Sequence, residues 1–137
     1  MFAGHLGIAL AIGRAERRVN VGVFAAAALL LDVVLWLFVL LGWESVVIPA
    51  DFVRTHQPAF EFPYSHGLVS AAVWSMLAGG AAHAWHACRG TAAPRAVMLV
   101  AAAVFSHWVL DAIVHTPELP LRKRSIRDVV PDAMTHR

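Results

Sequence analysis

The stretch "FSHWVLDAIVH", residues 105–115, sets His107, Asp111 and His115 at four-residue intervals. On a helix such residues share one face, about 6 Å apart, so an imidazole and a carboxylate can reach one cation. The same spacing lets H-E-x-x-H hold zinc. His5, Asp32 and His66 stand in equally apolar surroundings, in "GHLGIALA", "LLLDVV" and "YSHGLV". Mixed nitrogen and oxygen donors suit a divalent ion, zinc first, with Mn, Fe and Ni also accommodated. The candidate ligands are His66, His107, Asp111 and Asp32. The candidate catalytic groups are Asp32, as a base when it is not a ligand, and His5, which completes or orients the site. A catalytic zinc typically keeps three protein ligands and a water, whose pKa falls to about 7.

The chain around these residues reads as membrane-embedded. Of its 137 residues 59% are hydrophobic and 15% charged, against about 25% charged in soluble domains. A bilayer core needs roughly 20 apolar residues per helix. Runs 21–41, 67–87 and 96–115 meet that length, the first interrupted only by Asp32. Lipid cannot satisfy backbone hydrogen bonds, and these runs do not alternate as barrel strands do, so helices are expected. Residues 2–13 form a shorter apolar segment, about 18 Å long as a helix. The expected fold is all-α: an integral membrane bundle of three long spanning helices plus a short N-terminal helix. It occupies residues 1–121, with a basic polar tail at 122–137. Positive charge follows the first apolar segment, in "RAERR", instead of preceding it, so that segment reads as retained and not as a cleaved signal.

Arg14, Arg17, Arg18, Arg89 and Arg95 fall on one side of a three-span arrangement, which makes that side cytoplasmic. The loop from Gly42 to His66 faces outward. It carries Glu44, Asp51 and Glu61 against Arg54, and Trp43, Phe60, Phe62 and Tyr64 suit an interfacial aromatic belt. Arg122, Lys123, Arg124 and Arg127 conflict with this topology, because three spans put the tail outside. Asp32 lies roughly 15 Å below the outer end of its helix, His107 about 12 Å and Asp111 about 6 Å below theirs. His66, His115 and, if residues 2–13 run inward, His5 join them in the outer half. Random scatter would not favour such a gathering.

Each residue also has a structural reading. Asp111 pairs locally with His107 one turn away. His66 caps a helix or sits at the interface. His5, between Gly4 and Gly7, belongs to close helix packing. His115 is a boundary residue, His83 and His86 belong to the opposite interface, and His56 and Glu61 are solvated loop groups. Asp32 is the hardest to read this way, since carboxylates in mid-membrane are costly. "YSHGLV" at 64–69 echoes "FSHWVL" at 105–110, which is too short for a repeat. Cys88, the lone cysteine, excludes an internal disulfide and a CxxC site. The basic residues are not interleaved with aromatics as a nucleic-acid surface requires.

"GHLGIALA", "LLLD", "YSHGL" and "SHWVLD", in that order, resemble the bacterial inner-membrane proteins called membrane-bound metal-dependent hydrolases, among them YdjM-like and LexA-binding members. The resemblance covers residues 1–121 and implies polar positions at His5, Asp32, His66, His107 and Asp111. It implies a hydrolase in the cytoplasmic membrane. Two departures stand out. Many members carry D-x-D, whereas Asp32 is followed by Val33 and Val34, which argues against a second metal. Members also commonly continue into further spanning helices, so this sequence reads as a C-terminally shortened member, whose activity is open.

Three functions remain. The first is a metal-dependent hydrolase of an amphiphilic or lipid-linked ester, including phosphoesters, reached from the outer leaflet. No Gly-x-Ser-x-Gly elbow is present, which sets serine hydrolysis aside. The second is a small transporter using intramembrane Asp and His for ions or protons. It requires a homo-oligomer, and "AAAALL", "LAGGAAHA" and "VAAAVFS" permit close helix approach. The third is a non-catalytic membrane protein with a structural metal or none.

Overall fold

The computed structural model describes residues 2–47, 59–61 and 64–114, with 47 and 59–61 as backbone. The expectations for His56, Phe60, Phe62, Glu61 and His115, and for the tail at 122–137, fall outside the described side chains.

Among the described residues the chain is mostly helical. Helix α1 spans Phe2–Ala15. A short turn leads to Asn20, whose side-chain oxygen accepts from the Gly22 N–H at 2.8 Å and caps α2, Val21–Ala28. This satisfies a donor that the first helical turn would otherwise leave unpaired. Helix α3 follows at Leu30–Leu40. Next come β1, Ser45–Val47, and β2, Ala59–Glu61, paired antiparallel with Val46 opposite Phe60. Helix α4 covers Leu68–Cys88 and α5 covers Pro94–Val114.

The helical class expected from the sequence holds, with two differences in detail. The loop expected between the first two spans carries a pair of three-residue strands. The run 21–41 is not one straight helix: α2 and α3 meet at Leu29 with a 47° bend. Neither glycine nor proline lies at the break. Instead His107 Nδ1 stands 2.6 Å from the Ala28 carbonyl oxygen. In an unbroken helix that oxygen would accept from the N–H of residue 32. A side chain inserted into the hydrogen-bond ladder is a recognised cause of a kink. The bend has a second effect: it puts Asp32 in the first turn of α3, where the helix dipole favours negative charge.

Helix α5 is long and apolar enough to cross a bilayer, and the bent pair α2–α3 passes the same test if counted as one span. Helix α4 matches α5 in length, 21 residues each. Its serines, glycines, tryptophans and histidines lower its hydropathy, and it is not a clear span by composition.

Helix α4 packs most extensively on α5, while α1 lies against α2 and α5. Small residues make these approaches possible. A Cβ on Gly79 would stand 3.3 Å from the Ala101 Cβ, and one on Gly13 only 2.7 Å from Val21 Cγ2. Among the described residues Gly7 has no such neighbour within 4 Å, so none of them packs closely against it. The core is built on Phe24, Leu31 and Val104, each 0% exposed, with Ala9, Ala28 and Ala103 between them. The outward faces stay apolar: Leu10, Trp36, Leu40, Met76 and Met98 are all exposed.

Candidate metal centre

The break at Leu29, the start of α4 and the second half of α5 converge on one point. Asp32 comes from the first turn of α3. His66 sits just ahead of α4, and His107 and Asp111 lie one turn apart on α5. His66 Nε2 is 3.3 Å from His107 Nε2. His107 Nε2 is 3.4 Å from Asp32 Oδ1 and 3.2 Å from Asp111 Oδ2. His66 Nε2 is 3.6 Å from Asp32 Oδ1 and 3.8 Å from Asp111 Oδ2. Nitrogen and oxygen donors about 2.0–2.2 Å from a tetrahedral ion stand about 3.3–3.6 Å from one another. Asp32, His66 and His107 therefore fit a small divalent cation in both chemistry and spacing, and Asp111 adds a carboxylate oxygen 3.2 Å from His107 Nε2.

The hydrogen bonds behind these residues orient them inward. A carbonyl oxygen can only accept, so His107 Nδ1 donates to Ala28. In the neutral ring this leaves the Nε2 lone pair facing the cluster. His66 Nδ1 is 2.9 Å from Ser65 Oγ, which turns its Nε2 the same way. Such outer contacts fix the ring orientation of metal-binding histidines.

His5 enters from α1. Its ring stacks on His107, with centroids 3.8 Å apart and planes 2° from parallel. His5 Nε2 is 3.3 Å from Asp111 Oδ1, the oxygen turned away from His107. Two overlapping donor groups result, His5–His107–Asp111 and Asp32–His66–His107, sharing His107. Because His107 Nδ1 is committed to Ala28, its ring offers one donor to one ion. His5, at 1% exposure, is closed off from solvent. The Asp32 side chain, at 40%, is the open edge of the cluster.

All five residues singled out in the sequence thus meet, from three helices, α1, α3 and α5, and the turn before α4. The two echoing Ser-His stretches supply His66 and His107, yet they are not equivalent. Ser65 contacts its own histidine, whereas Ser106 Oγ donates back to the Ala103 carbonyl at 2.7 Å. His83 and His86 lie toward the other end of α4, where His86 Nδ1 is 3.1 Å from Thr91 Oγ1.

In the sequence Glu44 stands only as an acidic loop residue. It is buried at 4% exposure. Its Oε1 accepts from the N–H groups of Tyr64 and Ser65, at 2.9 and 2.8 Å. It therefore anchors the turn that carries Ser65 and His66. Its sequence neighbours are those of an exposed loop, and the only hint was a carboxylate beside Trp43.

Beside Tyr64 opens an apolar cavity of roughly 630 Å³, lined by Phe38, Trp43, Tyr64, Val73 and Trp74 among others. Phe38 makes ring contacts with Trp43, Tyr64 and Trp74, at centroid distances of 5.2, 6.3 and 6.1 Å. Trp74 Nε1 donates to the Tyr64 carbonyl at 3.0 Å, tying α4 to the same turn.

Comparisons with protein-family models, with curated proteins and with solved structures found no match for this chain.

Proposed function

We propose that this chain is a membrane-embedded, metal-dependent hydrolase of an amphiphilic or lipid-linked ester, of which phosphoesters are one class. One observation carries the reading: two imidazole Nε2 atoms stand 3.3 Å apart, within 3.2–3.8 Å of carboxylate oxygens from Asp32 and Asp111. Facing lone pairs and carboxylates repel one another unless a metal ion or a proton lies among them. The residues that would hold it are His66, His107, Asp111 and Asp32, with zinc the first choice and Mn, Fe or Ni the alternatives. When bound, a divalent ion supplies Lewis-acid chemistry, polarising an ester oxygen and lowering the pKa of water.

The chain's own groups divide the remaining work. Asp32 is the most exposed member of the cluster and stands where a substrate or water arrives first, so it is the group to take up a proton. His5 is a positioning residue that holds Asp111 and braces the His107 ring. The aromatic cavity beside Tyr64 suits the apolar part of an amphiphile. The exposed apolar faces of α3, α4 and α5 suit a lipid surround, in the three-span arrangement with the centre in the outer half of the bacterial inner membrane. The order of the sequence motifs, similar to that of membrane-bound metal-dependent hydrolases, supports the same reading.

Elemental analysis of the full chain, purified without chelators, tests the reading. About one divalent ion per chain is expected, with loss of both the ion and chelator-sensitive hydrolysis of long-chain nitrophenyl esters and phosphoesters in Asp111→Ala. A chain that retains no metal, and takes up none when zinc or manganese is supplied, would show that a proton holds the cluster together, and the hydrolase reading would fail.

A further inference from the structure

A second cleft lies at the opposite end of α4 and α5 from the His and Asp cluster. Its volume is roughly 510 Å³, and Arg18, Asn20, Val23, Trp85, Arg89 and Val100 are among the residues that form it. Its lining mixes polar groups, the Arg18 and Arg89 guanidiniums, Asn20 and His86 among them, with aliphatic Val23 and Val100. Arg89 is held in place, its Cζ 4.0 Å above the Trp85 ring centroid. That contact leaves the guanidinium edge available for bidentate bonding to phosphate oxygens. Among the described residues, Glu16 is the acidic side chain at this end, and it is taken up by Arg95, Oε2 to Nε at 3.6 Å. Arg95 also donates to the Ala15 carbonyl at 3.2 Å. Glu16 Oε1 also accepts from the Arg18 backbone N–H at 3.2 Å, so among the described residues one carboxylate serves this end against Arg18, Arg89 and Arg95, and positive charge remains in excess. Cationic recesses between helices at a membrane surface are suited to anionic lipid heads.

We propose that this cleft binds an anionic phospholipid, with Arg18 and Arg89 on the phosphate and the start of an acyl chain along Val23 and Val100. The site is independent of the metal centre. A bound lipid would bridge the α1–α2 turn and the α4–α5 turn, and so fasten the two turns at this end of the bundle.

The test uses the full chain in mild detergent, offered dioleoylphosphatidylglycerol and dioleoylphosphatidylcholine in equal amounts, with retained lipid read by native mass spectrometry. A preference for phosphatidylglycerol of roughly tenfold or more is expected from two cations acting on one headgroup. Arg18→Gln with Arg89→Gln should bring the ratio close to one. Neutralising Arg122, Lys123, Arg124 and Arg127 to glutamine should leave it largely intact. Equal retention of the two lipids would overturn the proposal, as would a preference that follows the tail instead of the cleft. Displacement of the lipid by inorganic phosphate would assign the cleft to a free anion and overturn it too. If the double variant does not fold, a salt series on the tail-neutral chain decides. The ratio must fall as salt rises, because screening weakens the contact, and a ratio indifferent to salt refutes it.

Discussion

His107 Nδ1 and the Ala28 carbonyl oxygen are 2.6 Å apart, across a separation of 79 residues in the chain. This bond links the bend to the candidate site. It occupies the carbonyl set free where α2 gives way to α3. It also fixes which nitrogen of His107 faces Asp32 and Asp111. Helix geometry and donor geometry are therefore consequences of the same contact.

Removing the ring should separate two losses. His107→Ala leaves a buried carbonyl unpaired, at a cost of about 1–3 kcal/mol, and deletes a donor from the centre. His107→Asn puts an amide N–H near the Nδ1 position and nothing at Nε2. Thermal unfolding should show Asn recovering much of the stability lost in Ala. Metal content should be lost in both. Retention of metal in the Asn variant would remove His107 from the donor set.

The two carboxylates should respond differently. Asp111 stands between His5 and His107 and its side chain is 12% exposed, so Asp111→Asn should empty the site. Asp32, on the open edge, is expected to matter more to turnover than to occupancy. Asp32→Asn should cut kcat by at least about 10²-fold, the usual weight of a general base, while about half or more of the metal remains. Equal losses in metal and in rate would make Asp32 a ligand only.

His5 offers a cleaner probe of positioning. His5→Phe keeps an aromatic ring against His107 and removes the contact to Asp111 Oδ1 at 3.3 Å. Metal affinity should weaken about 10–100-fold, the range for residues that orient a ligand, with helical content unchanged. Metal titration with a competing chelator measures this. An unchanged affinity would leave His5 with packing alone.

Glu44 makes a prediction from outside the cluster. Glu44→Ala strands the N–H groups of Tyr64 and Ser65, of which Ser65 is fully buried. A stability loss of about 1–3 kcal/mol is expected, together with weaker metal binding as His66 loses its anchored turn. Glu44→Gln retains an acceptor oxygen and should recover both in part. If Ala and Gln bind metal as well as the unaltered chain, the turn does not depend on Glu44.

Gly13 tests the approach of α1 to α2. In an isolated helix Gly13→Ala would gain up to about 1 kcal/mol. Here the new Cβ would lie 2.7 Å from Val21 Cγ2 and 3.1 Å from Val21 Cβ. Overpacking typically costs about 1–3 kcal/mol, so the steric effect should win and the melting temperature should fall. A rise would mean that the turn yields more easily than its spacing suggests.

Much of this was legible in the residues. The long apolar runs specified helices, because neither a buried strand nor a loop can satisfy its backbone over 20 residues without water. His107 and Asp111 could be paired from their spacing, since one helical turn brings i and i+4 together. The polar exceptions within apolar runs marked His5, Asp32 and His66, because such groups carry a desolvation cost that pattern alone reveals. What the spacing could not show was the break at Leu29. No glycine or proline interrupts "FAAAALLLDVV", residues 24–34, so nothing in that stretch marks an end to the helix. Glu44 was equally hidden, because its partners are backbone N–H groups twenty and twenty-one residues away.

The sequence by itself determined the helical character of the chain and named the five ionisable groups that meet. Only the tertiary structure decided how they meet: His107 bonded to Ala28, Asp32 raised to a helix start by the bend, His66 held on a turn that Glu44 anchors. Local pattern carries the preferences of a segment for its solvent and its period. It carries no record of which distant carbonyl or amide completes a hydrogen bond, and those completions orient the donors.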